Sequence, residues 1–258
     1  MRCLKRRVAA ILLAGAFGLT SWSQQSESNK ADTKKKDIDP LALKVLKAAT
    51  DPLREAKSFS FRALVSREDV GTNGQVITLF NLSDVTLQRP DKLHVDYRGR
   101  GKKVQLFYNA GEFVLYTPEE KLYTSISCSN TVDSALEDLD KRNVFIPIRN
   151  FLGSDPYQSL TDNLVTAYVI GQVMLFDEPV HQLAFTEPKA EWQLWVVGGD
   201  RPRIRRLEVV DKSKPWHPRI TVDFVDWDLN AAPSPDLFTF NKPRDAKEIG
   251  LLKELTRK

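Results

Sequence analysis

Few residues in this 258-residue chain are equipped for acid–base, nucleophilic or metal chemistry. There are three histidines, His94, His181 and His217. None stands in a His-Glu-x-x-His, Gly-x-Ser-x-Gly, Walker or dinucleotide-binding pattern. His94 and His181 fall in alternating, strand-like stretches and read as structural imidazoles, while His217 lies between prolines in a turn. Asp223, Asp226 and Asp228 would suggest a cation site, but no glycine-turned loop or EF-hand spacing surrounds them. They read as a polar strand face. Glu119 and Glu120 fall in a hairpin turn, where paired acids are solvated. Of the two cysteines, Cys128 would need an adjacent base and an electropositive site to act as a nucleophile. It reads as a small side chain at a strand end. A hydrolase built on Cys128 or His217 is the third-ranked function class, and the sequence offers it no substrate. The expectation is a non-enzymatic protein with no cofactor and no metal.

The aromatic side chains carry more information. Phe59, Phe61, Tyr97, Tyr108, Phe113, Phe185, Trp192, Phe224 and Phe238 sit at positions that would converge on one sheet face. They would form either a close-packed core or the wall of an apolar pocket. Periodicity does not separate these readings.

The elements that would position them are mostly strands. From 87 to 126, Leu93, Val95 and Tyr97 alternate with polar residues, as do Val104, Leu106 and Tyr108. Phe113 and Leu115 follow the turn Asn109-Ala110-Gly111. A period of two puts each set on one face, and closely spaced turns make the connections hairpins. Strands are also expected over 59–65, 76–87, 165–173, 180–187, 191–197, 203–210, 219–227 and 237–240. A shift of apolar phase between Leu82 and Val85 predicts a bulge. Asp39-Pro40 opens an amphipathic helix carrying Leu43, Leu46, Ala49 and Leu53, which Pro52 would kink or split. A helical insert of roughly 131–162 interrupts the strands: a helix at 131–142 with Val132, Leu136 and Leu139 on its apolar stripe, then 146–152 and a short helix at 155–160. The fold class is mainly β with α, with about eleven strands in meander order. No strand–helix–strand alternation suggests a parallel sheet. A long antiparallel sheet curls toward a barrel.

The first 23 residues read as a secretory signal: Arg2, Lys5, Arg6 and Arg7, an apolar run of about a dozen residues (a membrane span takes ~20), then Ser21-Trp22-Ser23. Residues 24–38 read as a flexible linker, 39–249 as one domain and 250–258 as a tail. The formal net charge of +4 is carried by the four basic residues of the signal. The exported chain is therefore near neutral, which excludes a basic nucleic-acid footprint. Cys3 leaves with the signal, so Cys128 has no disulfide partner and the domain rests on its core. A soluble protein of the Gram-negative periplasm is expected, with no integral membrane segment.

Several stretches carry a family resemblance. Arg89-Pro90-Asp91-Lys92-Leu93-His94-Val95, the hairpin around Tyr108-Asn109-Ala110-Gly111 with Tyr116-Thr117-Pro118, and Asp236-Leu237-Phe238-Thr239-Phe240 resemble the outer-membrane lipoprotein carrier LolA. Glu191-Trp192-Gln193-Leu194-Trp195 and Gly199-Asp200-Arg201-Pro202-Arg203 resemble more closely an uncharacterised family of predicted periplasmic proteins with that LolA-like fold. The resemblance implies a single curved antiparallel sheet, an incomplete β-barrel as in LolA and LolB, covered by an N-terminal helix and the helical insert. It also implies an apolar cavity holding acyl chains. Candidate cavity residues are Phe59, Phe61, Leu106, Tyr108, Phe113, Leu115, Trp192, Leu194 and Phe224. Candidate lid residues are Leu43, Leu46 and Leu136. The expected function is a periplasmic carrier for a lipid or an acylated protein. The alternative is an envelope-sensing module that binds a protein partner and keeps its core packed shut.

Overall fold

The computed structural model describes residues 37–142, 146 and 148–250. The expected signal, most of the expected linker and all of the expected tail except Gly250 lie outside the described residues. In chain order the elements are β1 (Asp37–Ile38), α1 (Pro40–Glu55), β2 (Ser58–Val70), β3 (Val76–Gln88), β4 (Lys92–Gly99), β5 (Lys102–Asn109), β6 (Glu112–Thr117) and β7 (Leu122–Ser127). Then come α2 (Val132–Lys141), α3 (Arg149–Leu152), α4 (Pro156–Thr161), β8 (Thr166–Leu175), β9 (Glu178–Thr186), β10 (Ala190–Val197), β11 (Arg203–Asp211), β12 (Arg219–Asp228) and β13 (Lys247–Glu248).

All strands belong to one 13-stranded sheet, ordered β1-β8-β9-β10-β11-β12-β2-β3-β4-β5-β6-β7-β13. The two outermost strands are two-residue parallel additions, so the eleven long strands match the expected number. They form two antiparallel meanders, β2–β7 and β8–β12, and the seam between them is the pairing of β12 with β2. The helices lie on the concave face of this curved, unclosed sheet. Alternation fixes which residues face it: Phe59, Phe61, Ala63 and Val65 of β2 are buried there, while Arg62 points outward to Asp84.

Three expectations are corrected. No register shift interrupts β3 against either neighbour. The apolar phase changes because Leu82 faces outward while Asn81 and Ser83 face the concave side, a polarity reversal within a regular strand. Bulges fall instead at Val169/Gly171, Trp195/Val196 and Val225/Asp228. Pro52 does not split α1. It occupies the last turn of an unbroken 16-residue helix, capped by Asp39, whose Oδ1 accepts from Leu41 N at 2.8 Å. The expected final strand at 237–240 is a 3₁₀ turn, Pro235–Phe238. Beyond it Phe240 packs on the convex face against Phe107, Tyr116 and Tyr123.

The helices divide the concave face. α1 buries Ala42, Leu46, Ala49 and Leu53, one stripe at helical spacing. It lies on β8, β10 and β11 and against α4. α2 opens with a capping box between Thr131 and Ser134 and buries Val132, Ala135, Leu136 and Leu139.

Candidate functional site

The chemically capable side chains are dispersed. Among the described residues no group of three or more His, Cys, Asp or Glu is placed to hold a metal. Asp223 is taken by Arg206, at 2.8 and 2.9 Å to its two oxygens. Asp226 faces Arg62 and Asp228 accepts from the Asn230 amide. His217 is an exposed turn residue. Burial pushes the Cys128 thiol above its usual pKa, against the Arg142 charge, so the sulfur is protonated at neutral pH. His94 is 5% exposed on the convex face, its ring 4.8 Å from Phe107. Its Nε2 is 3.5 Å from Asp96 and its Nδ1 is buried without a partner.

Most of the aromatic candidates are brought together as a core; the exceptions are Tyr97, which lines the cavity described below, and Phe238, which ends the 3₁₀ turn on the convex face beside Phe107 and Phe240 and so does not converge with the rest. Phe59, Phe61, Phe224 and Trp227 form one cluster with centroid spacings of 4.5–6.3 Å. Phe151 of α3 meets Phe224 edge-on. Trp192 stacks on Phe185 at 3.8 Å, and its Nε1 donates to Glu187. Tyr108 is fully buried beside Phe113, donates to Ser129 O at 2.6 Å, and has its pKa pushed up to about 12 by burial. Leu194, Leu46 and Leu136 are buried in the same core, and Leu43 packs partly against it.

The space lies elsewhere. A cavity of about 90 Å³ opens over the concave face of β2–β6, lined by Ala63, Val65, Val85, Leu93, Val95, Val104, Leu106 and Leu115. Of the candidate cavity residues, Leu106 and Leu115 line it. The remaining wall comes from short aliphatic side chains, which sequence reading passed over in favour of the largest apolar residues. Small residues leave room where large ones fill it. Its cover is Ile146, Ile148 and Leu152, which lie within the expected helical insert but outside the two helices expected as lids. The polar lining, Asn81, Ser83 and Tyr97, gathers at the end where β3 and β4 finish pairing. Tyr97 there lies tightly over Gly99, where an added Cβ would come within 2.5 Å of the Tyr97 hydroxyl.

A second pocket of about 270 Å³ lies on the other side of the same cover. Ile146, Phe151, Leu160, Trp192, Leu207 and Ile220 line it, and Arg149 stands on its wall. Ile146 is common to both spaces, so Ile146 and the residues from Ile148 to Leu152 stand as the partition between them.

Arg89 ties this partition to the frame. Its guanidinium donates to Leu53 O near the end of α1 at 3.2 Å, and to Leu152 O and Gly153 O at the end of α3 at 3.3 and 2.7 Å. Carbonyls at helix ends have no intrahelical donor and carry partial negative charge, so a cation placed there satisfies both deficits. Burial pushes the Arg89 pKa down, and the charge of Asp133 opposes this. Asp133 in turn accepts from Ser154 N at 2.7 Å. The sequence signal for Arg89 was its place beside Pro90 in the resemblance, which gave it no role.

No curated protein matches the sequence. Among solved structures, the Mycobacterium tuberculosis lipoprotein LppX is 10% identical with a TM-score of 0.47, covering 73% of this chain and 96% of its own. An uncharacterized conserved protein from Thermus thermophilus is 14% identical with a TM-score of 0.45, covering 81% and 98%. A LolA superfamily protein from Nitrosomonas europaea is 14% identical with a TM-score of 0.36, covering 77% and 97%. None of the helices in the described residues is long and apolar enough to cross a membrane. The model of a family described as predicted periplasmic protein (DUF2092) matches residues 42–252, and the chain belongs to that family.

Proposed function

We propose that the protein is a non-enzymatic carrier that holds the acyl part of a lipid or an acylated protein between the concave face of β2–β6 and the cover formed by Ile146, Ile148 and Leu152. The observation that carries this reading is the almost wholly apolar cavity roofed by three aliphatic side chains, Ile146, Ile148 and Leu152. As it stands the space is smaller than the ~150 Å³ cavity that takes up benzene. Loading requires the partition to move, which joins the two pockets on either side of Ile146. Each buried methylene gains ~0.8 kcal/mol, so a chain of a dozen carbons has ample driving force to offset the work of opening and the cost of association. The bundle of contacts at Arg89 is what that work breaks.

A second reading, an envelope-sensing module with a packed core, is favoured by the aromatic residues that close into the core instead of facing the cavity. Native mass spectrometry of the protein purified from a bacterial periplasm decides between them. A co-purifying lipid, or uptake of a fluorescent fatty acid lost in Leu106→Asp, supports the carrier. A protein at bare mass that takes up no fatty acid would leave the sensing module.

A further inference from the structure

The outer side of β8 is covered only at its start. β1 pairs with it at Thr166 and Ala167, running parallel and entering from the Val165 end. Among the described residues no strand pairs with that side from Tyr168 onward. Sheet edges are ordinarily guarded by charge, proline, a bulge or a covering segment, because their unpaired backbone groups accept an extended chain. Here no charged residue and no proline occurs from 163 to 176. The bulge at Val169/Gly171 guards the first half of the strand. From there on β8 pairs regularly with β9, from Gly171 opposite Gln182 to Leu175 opposite Glu178. The stretch from Gly171 to Leu175 is thus a regular, uncharged and uncovered edge.

The side chains along it are apolar where water favours polar ones. Tyr168 is 51% exposed, Ile170 49%, Met174 67% and Phe176, in the turn to β9, 57%. At ~150–250 Å² for a large side chain, these four expose roughly 500 Å². Two copies therefore bring about 1,000 Å² besides their backbone edges, close to the ~1,200 Å² at which specific interfaces begin.

The occupant has to supply backbone donors and acceptors at strand spacing, which an extended polypeptide does and a lipid surface does not. A second copy meets a further condition. Two-fold antiparallel pairing sets a strand against itself, so charges near its centre would meet their like. β8 carries none. The cations that touch this patch are already paired: Arg205 and Arg206, against the Phe176 ring, with Glu178 and Asp223, and Arg219, beside Tyr168, with Glu208.

We infer that β8 joins the β8 of a second copy in a two-fold antiparallel pairing centred on Val173, making one continuous sheet of the two. Val173 is the middle residue of the regular edge, and this centre places Gln172 of each copy opposite Met174 of the other. The cavity over β2–β6 lies beyond the β12–β2 seam and stays accessible. The inference therefore holds whether or not the protein carries a lipid.

Sedimentation velocity over a concentration series should show a reversible dimer, in the micromolar range for an interface of this size. Gln172→Lys/Met174→Lys, at two exposed positions, sets like charges opposite each other. It should fold with unchanged circular dichroism and dimerise at least about tenfold more weakly. Gln172→Glu/Met174→Lys sets opposite charges together and should keep the dimer. A native protein that is monomeric at its highest soluble concentration overturns the inference. So does a dimer that the Lys/Lys variant leaves intact, or an equal loss in both variants. Open-ended polymers would mean head-to-tail pairing and overturn the two-fold arrangement. Monomers that bind phosphatidylcholine vesicles, and cease to in the Lys/Lys variant, overturn it as well and assign the strand to a lipid surface.

Discussion

Arg89 donates to the carbonyl of Gly153 at 2.7 Å and thereby fastens the end of α3 to the β3–β4 corner. The same guanidinium holds Leu53 O of α1, so one side chain joins the two helical layers that cover the two halves of the sheet. Arg89→Leu removes these bonds and leaves three carbonyls to find other donors. Hydrogen bonds to charged groups are worth ~1.5–3 kcal/mol, and a loss of about 2–3 kcal/mol in denaturant-measured stability is expected. Amide exchange should rise selectively at 149–154. A variant as stable as the native protein, with unaltered exchange there, would show that Arg89 fastens nothing.

Core and cavity should answer differently to truncation. Phe61, 3% exposed and stacked among three aromatic rings, should cost about 3–5 kcal/mol as Phe61→Ala. Leu106 already borders empty space, so Leu106→Ala should fall at or below the ~2 kcal/mol low end of the buried-leucine range. Equal costs, read from urea midpoints at constant slope, would refute the division drawn between them.

Filling the space tests its use. Val95→Phe places a ring in the cavity and should change stability by less than about 1.5 kcal/mol, because the added volume meets a void instead of packed atoms. Fatty-acid uptake should nevertheless disappear. Undiminished uptake in a folded variant would place the ligand elsewhere.

The pH dependence of stability follows from His94. Burial holds its folded pKa below the ordinary 6.5, against the charge of Asp96, so the unfolded chain binds the proton first. Stability is therefore complete above the unfolded pKa and falls as pH drops through and below about 6.5. Asp96 adds a second loss at lower pH. Burial works against it, but the hydrogen bond from Gln105 and the charges of His94 and Lys103 hold its folded pKa below 3.8, so its contribution is lost as pH falls through that region. His94→Gln should flatten the melting-temperature slope between pH 5 and 7, and an unchanged slope would assign it to other groups.

Cys128, kept protonated by burial, should react slowly with iodoacetamide at neutral pH, and Cys128→Ser should retain whatever ligand the native protein retains. Loss of ligand in that variant would reopen the nucleophile reading.

The sequence made the sheet legible because alternation and turn residues are local signals. Leu93, Val95 and Tyr97 declare their face without reference to anything distant. The seam between β12 and β2 was not legible, since no local pattern says which strand of one meander meets which of the other. The cavity was hidden for a different reason. Size drew attention to Phe59, Phe61 and Phe224, yet it is at Ala63, Val65 and Val104, where side chains are short, that volume is left over. Phe240 misled through its strand-like neighbours, since it packs with Phe238 on the convex face after a 3₁₀ turn.

That seam has a consequence for how the molecule is made. Arg62 and Asp226, which face each other across it, are 164 residues apart in the chain, and the Arg219 amide reaches Glu68 across a separation of 151. A chain that emerges on the far side of a membrane from its N-terminus completes β2–β7 long before β12 arrives. During that interval β2 is an unpaired edge of 13 residues bearing Phe59, Phe61 and Val65, a template for pairing with any other strand. Contacts of such separation form slowly. The chain's exposure to misassembly is therefore set by the time needed to deliver the roughly one hundred residues from the end of β7 to β12, and a chaperone able to shield the β2 edge should raise its yield more than any stabilisation of the finished fold.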